Sequence, residues 1–333
     1  MRWADLVGHA RQRSWFQQAI GQGRLGSAFL LAGPEGIGKR CFARLVAQSL
    51  LCSRNDPANL DPCGRCEDCV QVAASTHPDL IQISKPEDKS NLPLELIIGP
   101  PEARMREGLI HDISLKPYRG RHKVAILDDA DLLGTEGANS LLKTLEEPPA
   151  SAVLFLISCS LQKQLPTIRS RCQIVRFSGL SPEQLIALAP VVQPGGPADP
   201  QRLASAADEA GGSLTIFRQL IEPELAEFRD NLRQRLEGRP LDFIGLSKAI
   251  VASLDRVGAD SAVRRDRLRA ILNLAIQYYR SAMIQRAETA SGESVPVQAI
   301  ERCLRAIHDV DRNLQAASIL EAWASDLARI CHS

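Results

Sequence analysis

The stretch Gly33-Pro34-Glu35-Gly36-Ile37-Gly38-Lys39-Arg40 constrains the fold of this chain more than any other. It follows the phosphate-loop pattern G-x-x-x-x-G-K-[ST] through the lysine and departs from it at the last position. Glycines let successive backbone N–H groups turn inward around phosphate oxygens, and the lysine adds charge at the outer phosphates. Such a loop works between a buried strand and the first turn of a helix, so it implies an α/β fold. The final position ordinarily carries a hydroxyl that ligates Mg²⁺. Arg40 has no acceptor atom and cannot bind a metal ion. The reading is a loop of Gly33, Gly36, Gly38, Lys39 and Arg40 that can hold ATP or ADP but is poorly built to hydrolyse it.

The flanking pattern supplies that context. Residues 27–32 read as a strand and 39 to about 51 as a helix. Short apolar runs at 79–83, 124–127, 153–157 and 174–177 read as further strands, and 102–114 as a helix. Strand–helix alternation of this kind predicts a parallel sheet with helices on both faces. After Phe177 the character changes. Ser181-Pro182-Glu183-Gln184 starts a short helix with serine as cap and proline in its first turn. Residues 193–200 and 211–213 read as breaks. From Pro223 onward only helical periodicity remains, interrupted near 238–240, 257–259 and 291–296. The expected organisation is a nucleotide-fold domain at 1–178, a small helical domain at 179–222 and a helical bundle at 223–333.

A length of 333 residues accommodates two or three domains with ample core. The net charge of +1 argues against bulk electrostatic attachment to nucleic acid or anionic membrane, though not against a local basic face. A free-standing zinc-dependent nucleic-acid binder would want a basic, aromatic-rich surface, and aromatic residues make up only 4% here. No apolar run approaches the length of a membrane span, and the N-terminus does not read as a signal peptide, so a cytoplasmic location is expected.

In that compartment an odd count of nine cysteines, four of them clustered, favours metal binding over disulfides. Cys52, Cys63, Cys66 and Cys69 have the spacing of a closed four-thiolate zinc site with a structural role. An iron–sulfur cluster and unligated or redox cysteines are the alternatives. Cys41, Cys159, Cys172, Cys303 and Cys331 read as small core residues. His77, near the module, reads as structural because four thiols already fill the metal's shell. Asp128 and Asp129 follow the strand at 124–127. Asp128 reads as the acid that holds Mg²⁺ opposite a phosphate loop, and Asp129 stands, one methylene shorter, where ATPases usually carry the glutamate that activates the attacking water; the alternative is a solvated acidic turn. Arg171 in Ser170-Arg171-Cys172, taken alone, reads as a surface cation.

Four segments together carry a resemblance: 114–120, 123–131, Leu141-Leu142-Lys143-Thr144-Leu145-Glu146-Glu147-Pro148-Pro149, and Ser170-Arg171-Cys172. In this order they resemble the bacterial clamp loader, the AAA+ family that places the sliding clamp on DNA. The resemblance is strong over about residues 5–180, and the cysteine module at 52–69 is typical of the family. Arg40, and Thr215 where the motor subunits carry an arginine after Gly212-Ser213-Leu214, resemble the delta-prime branch more than the ATPase (tau/gamma) branch. Arg218 lies one turn further on.

The resemblance implies an AAA+ domain with a zinc module, a helical lid and a helical collar. It implies that Arg171 is an arginine finger acting across a subunit interface, as a planar cation on the charge spreading over the phosphoryl oxygens. Val7 and Gly8 fall near the adenine pocket, or else simply precede a helix. Ser158 falls at the sensor position, with Cys159 beside it as the alternative. Implied partners are the tau/gamma ATPase and delta subunits, met through the collar and the Arg171 interface, and the sliding clamp and primer-template DNA through the complex. No membrane is involved. An active tau/gamma-like ATPase is the alternative.

Overall fold

Five apolar runs form one sheet in this computed structural model, which describes residues 2–86, 89, 91–119, 121–195, 199–238, 240–258, 260–287, 295–311 and 314–332. The strands are β1 (Ala28–Ala32), β2 (Leu80–Ile83), β3 (Lys123–Leu127), β4 (Ala152–Ser158) and β5 (Gln173–Arg176). All pairings are parallel and the order is β2-β3-β4-β1-β5. Parallel strands need crossover connections, which place helices on the faces and bury the central strands on both sides. Accordingly β1, β3 and β4 are buried along their whole length.

The two-residue period of a strand sorts its side chains between two cores. Phe29 and Leu31 of β1, Val124 and Ile126 of β3 and Phe155 of β4 point to one face. There they pack against Phe16 of α1 (Ala10–Gly21) and Phe42, Leu45 and Val46 of α2 (Lys39–Leu51). Leu30, Leu127, Leu154 and Leu156 point to the other. They meet Ile97 of α4 (Glu95–Ile98), Leu109 and Ile113 of α5 (Leu109–Ser114), and Leu141 and Leu145 of α6 (Thr135–Glu146).

The helix expected over 102–114 is only its second half, α5, preceded by a single turn at Pro101–Ala103. Gly108 approaches Gly99 so closely that an added Cβ would lie 2.6 Å from the Gly99 nitrogen. Met105 has φ 62°, so the chain must turn between 103 and 109 and a continuous helix cannot pass. A helix of the cysteine module, α3 (Glu67–Ala73), packs on α2. A one-turn helix, α7 (Pro166–Arg169), leads into β5. The start of α8 (Pro182–Val192) has the anticipated cap: Ser181 Oγ accepts the Gln184 N–H at 3.3 Å, and Gln184 Oε1 accepts the Ser181 N–H at 2.9 Å.

The chain divides into two compact units, 1–185 with 211–215 and 186–210 with 216–333. The helices after α8 are α9 (Pro200–Glu209), α10 (Leu214–Ile221), α11 (Pro223–Glu237), α12 (Phe243–Arg256), α13 (Ser261–Ala287), α14 (Val295–Asp311) and α15 (Ala316–His332). In the second unit α13 packs on α14, and α15 packs on both α14 and α12. Leu246, Ile250, Leu254, Ile271, Cys303 and Trp323 are among the buried residues there. The expected breaks fall between helices; within them, and within the run 114–120, residues 120, 196–198, 239, 259 and 291–294 lie outside the described residues. None of the described helices is long and apolar enough to cross a membrane.

Candidate nucleotide and metal sites

The phosphate loop follows β1 and ends at the N-terminus of α2, the context its sequence requires. Gly36 (φ 72°) and Gly38 (φ 92°) adopt the left-handed conformations that turn N–H groups inward, and Gly38 caps α2. An unpaired helix N-terminus there favours anions. Gly33 lies against the Phe177 carbonyl, which an added Cβ would strike. Gly36 lies against Thr215, whose nitrogen would be 2.8 Å from such a Cβ, and its carbonyl accepts the Leu214 N–H at 3.0 Å. The loop thus has the backbone turns of a phosphate cradle and is braced by residues 177 and 214–215.

Lys39 is buried, and burial lowers its pKa. Its Nζ donates to the carbonyls of Gly33 (2.7 Å) and Pro34 (2.6 Å). Arg40, one residue on, places Nη1 at 3.6 Å from Asp128 Oδ2, just past the end of β3. Burial raises the Asp128 pKa and the neighbouring Asp129 charge adds to this, while Arg40 opposes it.

The other acids of the turn are engaged elsewhere. Asp129 has φ 53°, and its Oδ2 accepts the Lys85 N–H at 3.4 Å. Asp131 accepts both the backbone N–H (3.2 Å) and the thiol (2.8 Å) of Cys159. Burial, helped by Asp131, pushes the Cys159 thiol up to about 11. Ser158, the last residue of β4, is buried, and its hydroxyl donates to the Ser160 carbonyl at 2.8 Å. Of the two residues at this position, Cys159 is the one tied to the acidic turn. Asp131 carries no sequence signal beyond its place in the acidic run.

Val7 and Gly8 lie on the segment before α1. Gly8 packs against Leu180, whose Cδ2 would be 2.9 Å from an added Cβ, and His9 Nε2 bonds the Ile37 carbonyl of the loop at 2.6 Å. Leu6 reaches Gly38. The stretch 6–9 is thus more than a helix start, because it closes over the loop.

Arg171 lies between α7 and β5. Its Nε donates to Glu146 Oε1 at 2.6 Å, and Nη2 also pairs with Glu146. Nη1 donates to the Thr167 carbonyl at 3.0 Å and to Ser170 Oγ at 3.2 Å. β5 runs parallel to β1 with Gln173 opposite Phe29 and Arg176 opposite Ala32. Arg171 precedes β5 whereas the loop follows β1, so the two stand at opposite ends of the sheet, separated by a strand length of about 13 Å. That separation is longer than an arginine side chain, so Arg171 cannot reach the chain's own loop. Glu146, in the Leu141–Pro149 string, gave no earlier sign that it would hold this guanidinium.

The four cysteines expected to bind metal converge. The Sγ atoms of Cys52, Cys63, Cys66 and Cys69 all lie within 4.8 Å of one another, with Cys52–Cys66 at 3.9 Å and Cys63–Cys69 at 4.0 Å. A tetrahedral zinc with Zn–S near 2.3 Å needs sulfurs about 3.8 Å apart. Backbone N–H groups of Asn55, Cys66 and Cys69 donate to the sulfurs of Cys52, Cys63 and Cys66 at 3.3–3.4 Å. Burial alone would raise the Cys66 thiol, but the Cys69 N–H and Ser53 bring it down to about 6. The set fits a zinc ion held as four thiolates.

His77 is buried beside the module and is not a member of the set. Its Nε2 faces Asp68 Oδ1 at 3.4 Å, and its Nδ1 accepts the Asp79 N–H at 3.0 Å. Glu67 pairs with Arg119 at 2.6 Å. Asp79, fully buried, accepts the N–H groups of Tyr118 (2.6 Å) and Arg119 (2.8 Å), and Lys123 Nζ lies 3.9 Å away. These contacts lock the module and the 115–119 loop to the start of β2.

The family model described as "DNA polymerase III, delta subunit" matches residues 8–181. DNA polymerase III subunit delta' of Pseudomonas aeruginosa is 37% identical over 161 residues, which is 48% of this chain and 46% of that protein. DNA polymerase III subunit tau of Escherichia coli is 33% identical over 187 residues, 55% of this chain and 26% of that protein. The alignments span less than half the length of these relatives. A gamma subunit-related protein of Thermotoga maritima aligns over 96% of this chain and 99% of its own, at 15% identity and a TM-score of 0.43.

Proposed function

The chain belongs to the DNA polymerase III clamp-loader family described by that delta-subunit model, an AAA+ family of DNA replication, and from this premise we propose that it is a delta-prime-type subunit. In this reading it is a non-hydrolysing arm of the complex that loads the sliding clamp onto primed DNA in the cytoplasm. The observation that carries the reading is the Arg40–Asp128 pair, which sets a cation where a working site needs a metal ligand. Two further features support it. Asp129, one methylene shorter than the glutamate of working ATPases, accepts the Lys85 N–H, and Thr215 packs on Gly36 where the motor subunits carry an arginine. The loop residues Gly33, Gly36, Gly38 and Lys39 would hold ATP or ADP as a structural ligand, with Val7 and Gly8 beside the base.

Arg171 would act in trans. Its place at the far end of the sheet from its own loop supports that role, and the clamp-loader ATPase (tau/gamma) subunit would be the recipient. In the bound state the guanidinium would leave Glu146 and present its planar fork to phosphoryl oxygens. The small helical domain (179–222) would be the lid, and the collar (223–333) would join the tau/gamma and delta subunits. The four cysteines would hold a structural zinc.

The discriminating experiment is steady-state phosphate release by the isolated chain. The expected result is negligible turnover. A rate approaching about 1 s⁻¹, the low end for ordinary enzymes, would favour the tau/gamma-like ATPase instead.

A further inference from the structure

In a working phosphate loop, a hydroxyl after the lysine and an acid at the neighbouring strand end share one divalent cation. Here the acid is kept, as Asp128, and the hydroxyl is not. The position after the lysine carries a permanent cation, and that cation faces the acid at 3.6 Å. Of the neighbouring acids, Asp129 accepts the Lys85 N–H and Asp131 both the N–H and the thiol of Cys159. Mg²⁺ demands six oxygen ligands in near-octahedral geometry and is repelled by a guanidinium a few ångströms away. The residues present therefore do not fit the metal.

They still fit the phosphates. Gly36 and Gly38 keep their left-handed turns, and Lys39 Nζ donates to two loop carbonyls that an anion can displace. The Arg40 side chain is about half exposed and pairs with Asp128 at 3.6 Å, longer than a hydrogen bond. A guanidinium carries five N–H donors and can make a bidentate contact with phosphate oxygens. We propose that this loop takes a nucleoside di- or triphosphate in its metal-free form, with the Arg40 guanidinium as the fixed cation in place of Mg²⁺. The inference rests on the reading that the loop holds nucleotide without turnover. Magnesium then acts against binding, because it neutralises the phosphate charge that Lys39 and Arg40 attract.

The test is isothermal titration of the full zinc-loaded chain with ADP and with ATP, in chelator-free buffer passed over a chelating resin and in excess Mg²⁺. The expected Kd without Mg²⁺ is equal to or tighter than that in Mg²⁺. Mn²⁺, followed by its paramagnetic resonance, stays free in the presence of chain and ADP beyond what ADP alone binds. Arg40→Ser weakens binding without Mg²⁺ by about tenfold or more, the equivalent of one charge-assisted hydrogen bond, and recovers part of it with Mg²⁺. The wild-type comparison decides the matter even where the variant does not fold. Binding that requires Mg²⁺ overturns the metal-free site and leaves the nucleotide-holding reading standing. No binding in either condition overturns both.

Discussion

Replacing the loop glycines one at a time separates what they do for the fold from what they do for a ligand. Gly36→Ala places a Cβ 2.8 Å from the Thr215 nitrogen and closer still to the Thr215 hydroxyl. That backbone atom cannot rotate away, so the 214–215 segment must shift and the Leu214 N–H bond to the Gly36 carbonyl, 3.0 Å in the native chain, is lost. The bond contributes about 0.5–1.5 kcal/mol. A left-handed conformation costs alanine roughly 1–2 kcal/mol. Together the loss is about 1.5–3.5 kcal/mol, before any cost of the shift itself. Gly38→Ala meets only Leu6 Cδ1, at 3.0 Å, the end of a flexible side chain. It should cost only the conformational share, about 1–2 kcal/mol. For a unit of this size 1 kcal/mol moves the midpoint by about 2–4 °C. Nucleotide-free protein, unfolded by heat with Trp3 and Trp15 as reporters in a Trp323→Phe background, gives the comparison. Gly36→Ala should melt several degrees below Gly38→Ala. Equal shifts, or a harmless Gly36→Ala, would refute the argument that the chain itself braces this loop.

Protein purified without chelator should carry one zinc ion per chain by elemental analysis; iron, or no metal, contradicts the four-thiolate reading. Cys66→Ser should raise hydrogen exchange across 52–77 while leaving α12 to α15 protected, because the second unit has its own core. Asp79→Ala leaves the N–H groups of Tyr118 and Arg119 without their acceptor and Lys123 buried without its charge partner, so urea unfolding should show a loss of about 3–5 kcal/mol; a loss below 1 kcal/mol would contradict the role assigned to this acid.

Much of the sheet was legible because its signals are local. Apolar runs bounded by turns gave the five strands to within a residue or two, and the glycine-rich loop fixed the start of α2 at Lys39. The C-x-x-C spacing likewise brought four cysteines together on one site. What was not legible depends on contacts between distant segments. Arg40 and Asp128 are far apart in sequence, and nothing in either segment announces that they pair. Glu146 and Arg171 meet only because α6 and α7 pack together. The overlong helix at 102–114 failed on the close approach of Gly99 to Gly108. Cys159 read as a core filler, but Asp131 binds its thiol and its N–H, a pairing that the β3 and β4 strand ends create. Asp79 looked like the first residue of a strand and turned out to anchor the 115–119 loop.

The role proposed for Arg171 is to serve a neighbour's nucleotide site. The direct measurement is clamp- and DNA-stimulated phosphate release by the reconstituted complex with Arg171→Ala in place of the native chain. Arg171 and Glu146 are both partly exposed, so losing their pair should change stability by no more than about 1 kcal/mol, and assembly should be normal. An arginine finger contributes roughly 10³–10⁵ in rate at its own site. The summed rate should fall by less, because other ATPase sites keep their own fingers. Arg171→Lys should not restore it, because a point charge lacks the planar fork that matches phosphate oxygens. An unchanged stimulated rate and unchanged clamp loading in a normally assembled Arg171→Ala complex would contradict the claim and leave Arg171 as the surface partner of Glu146.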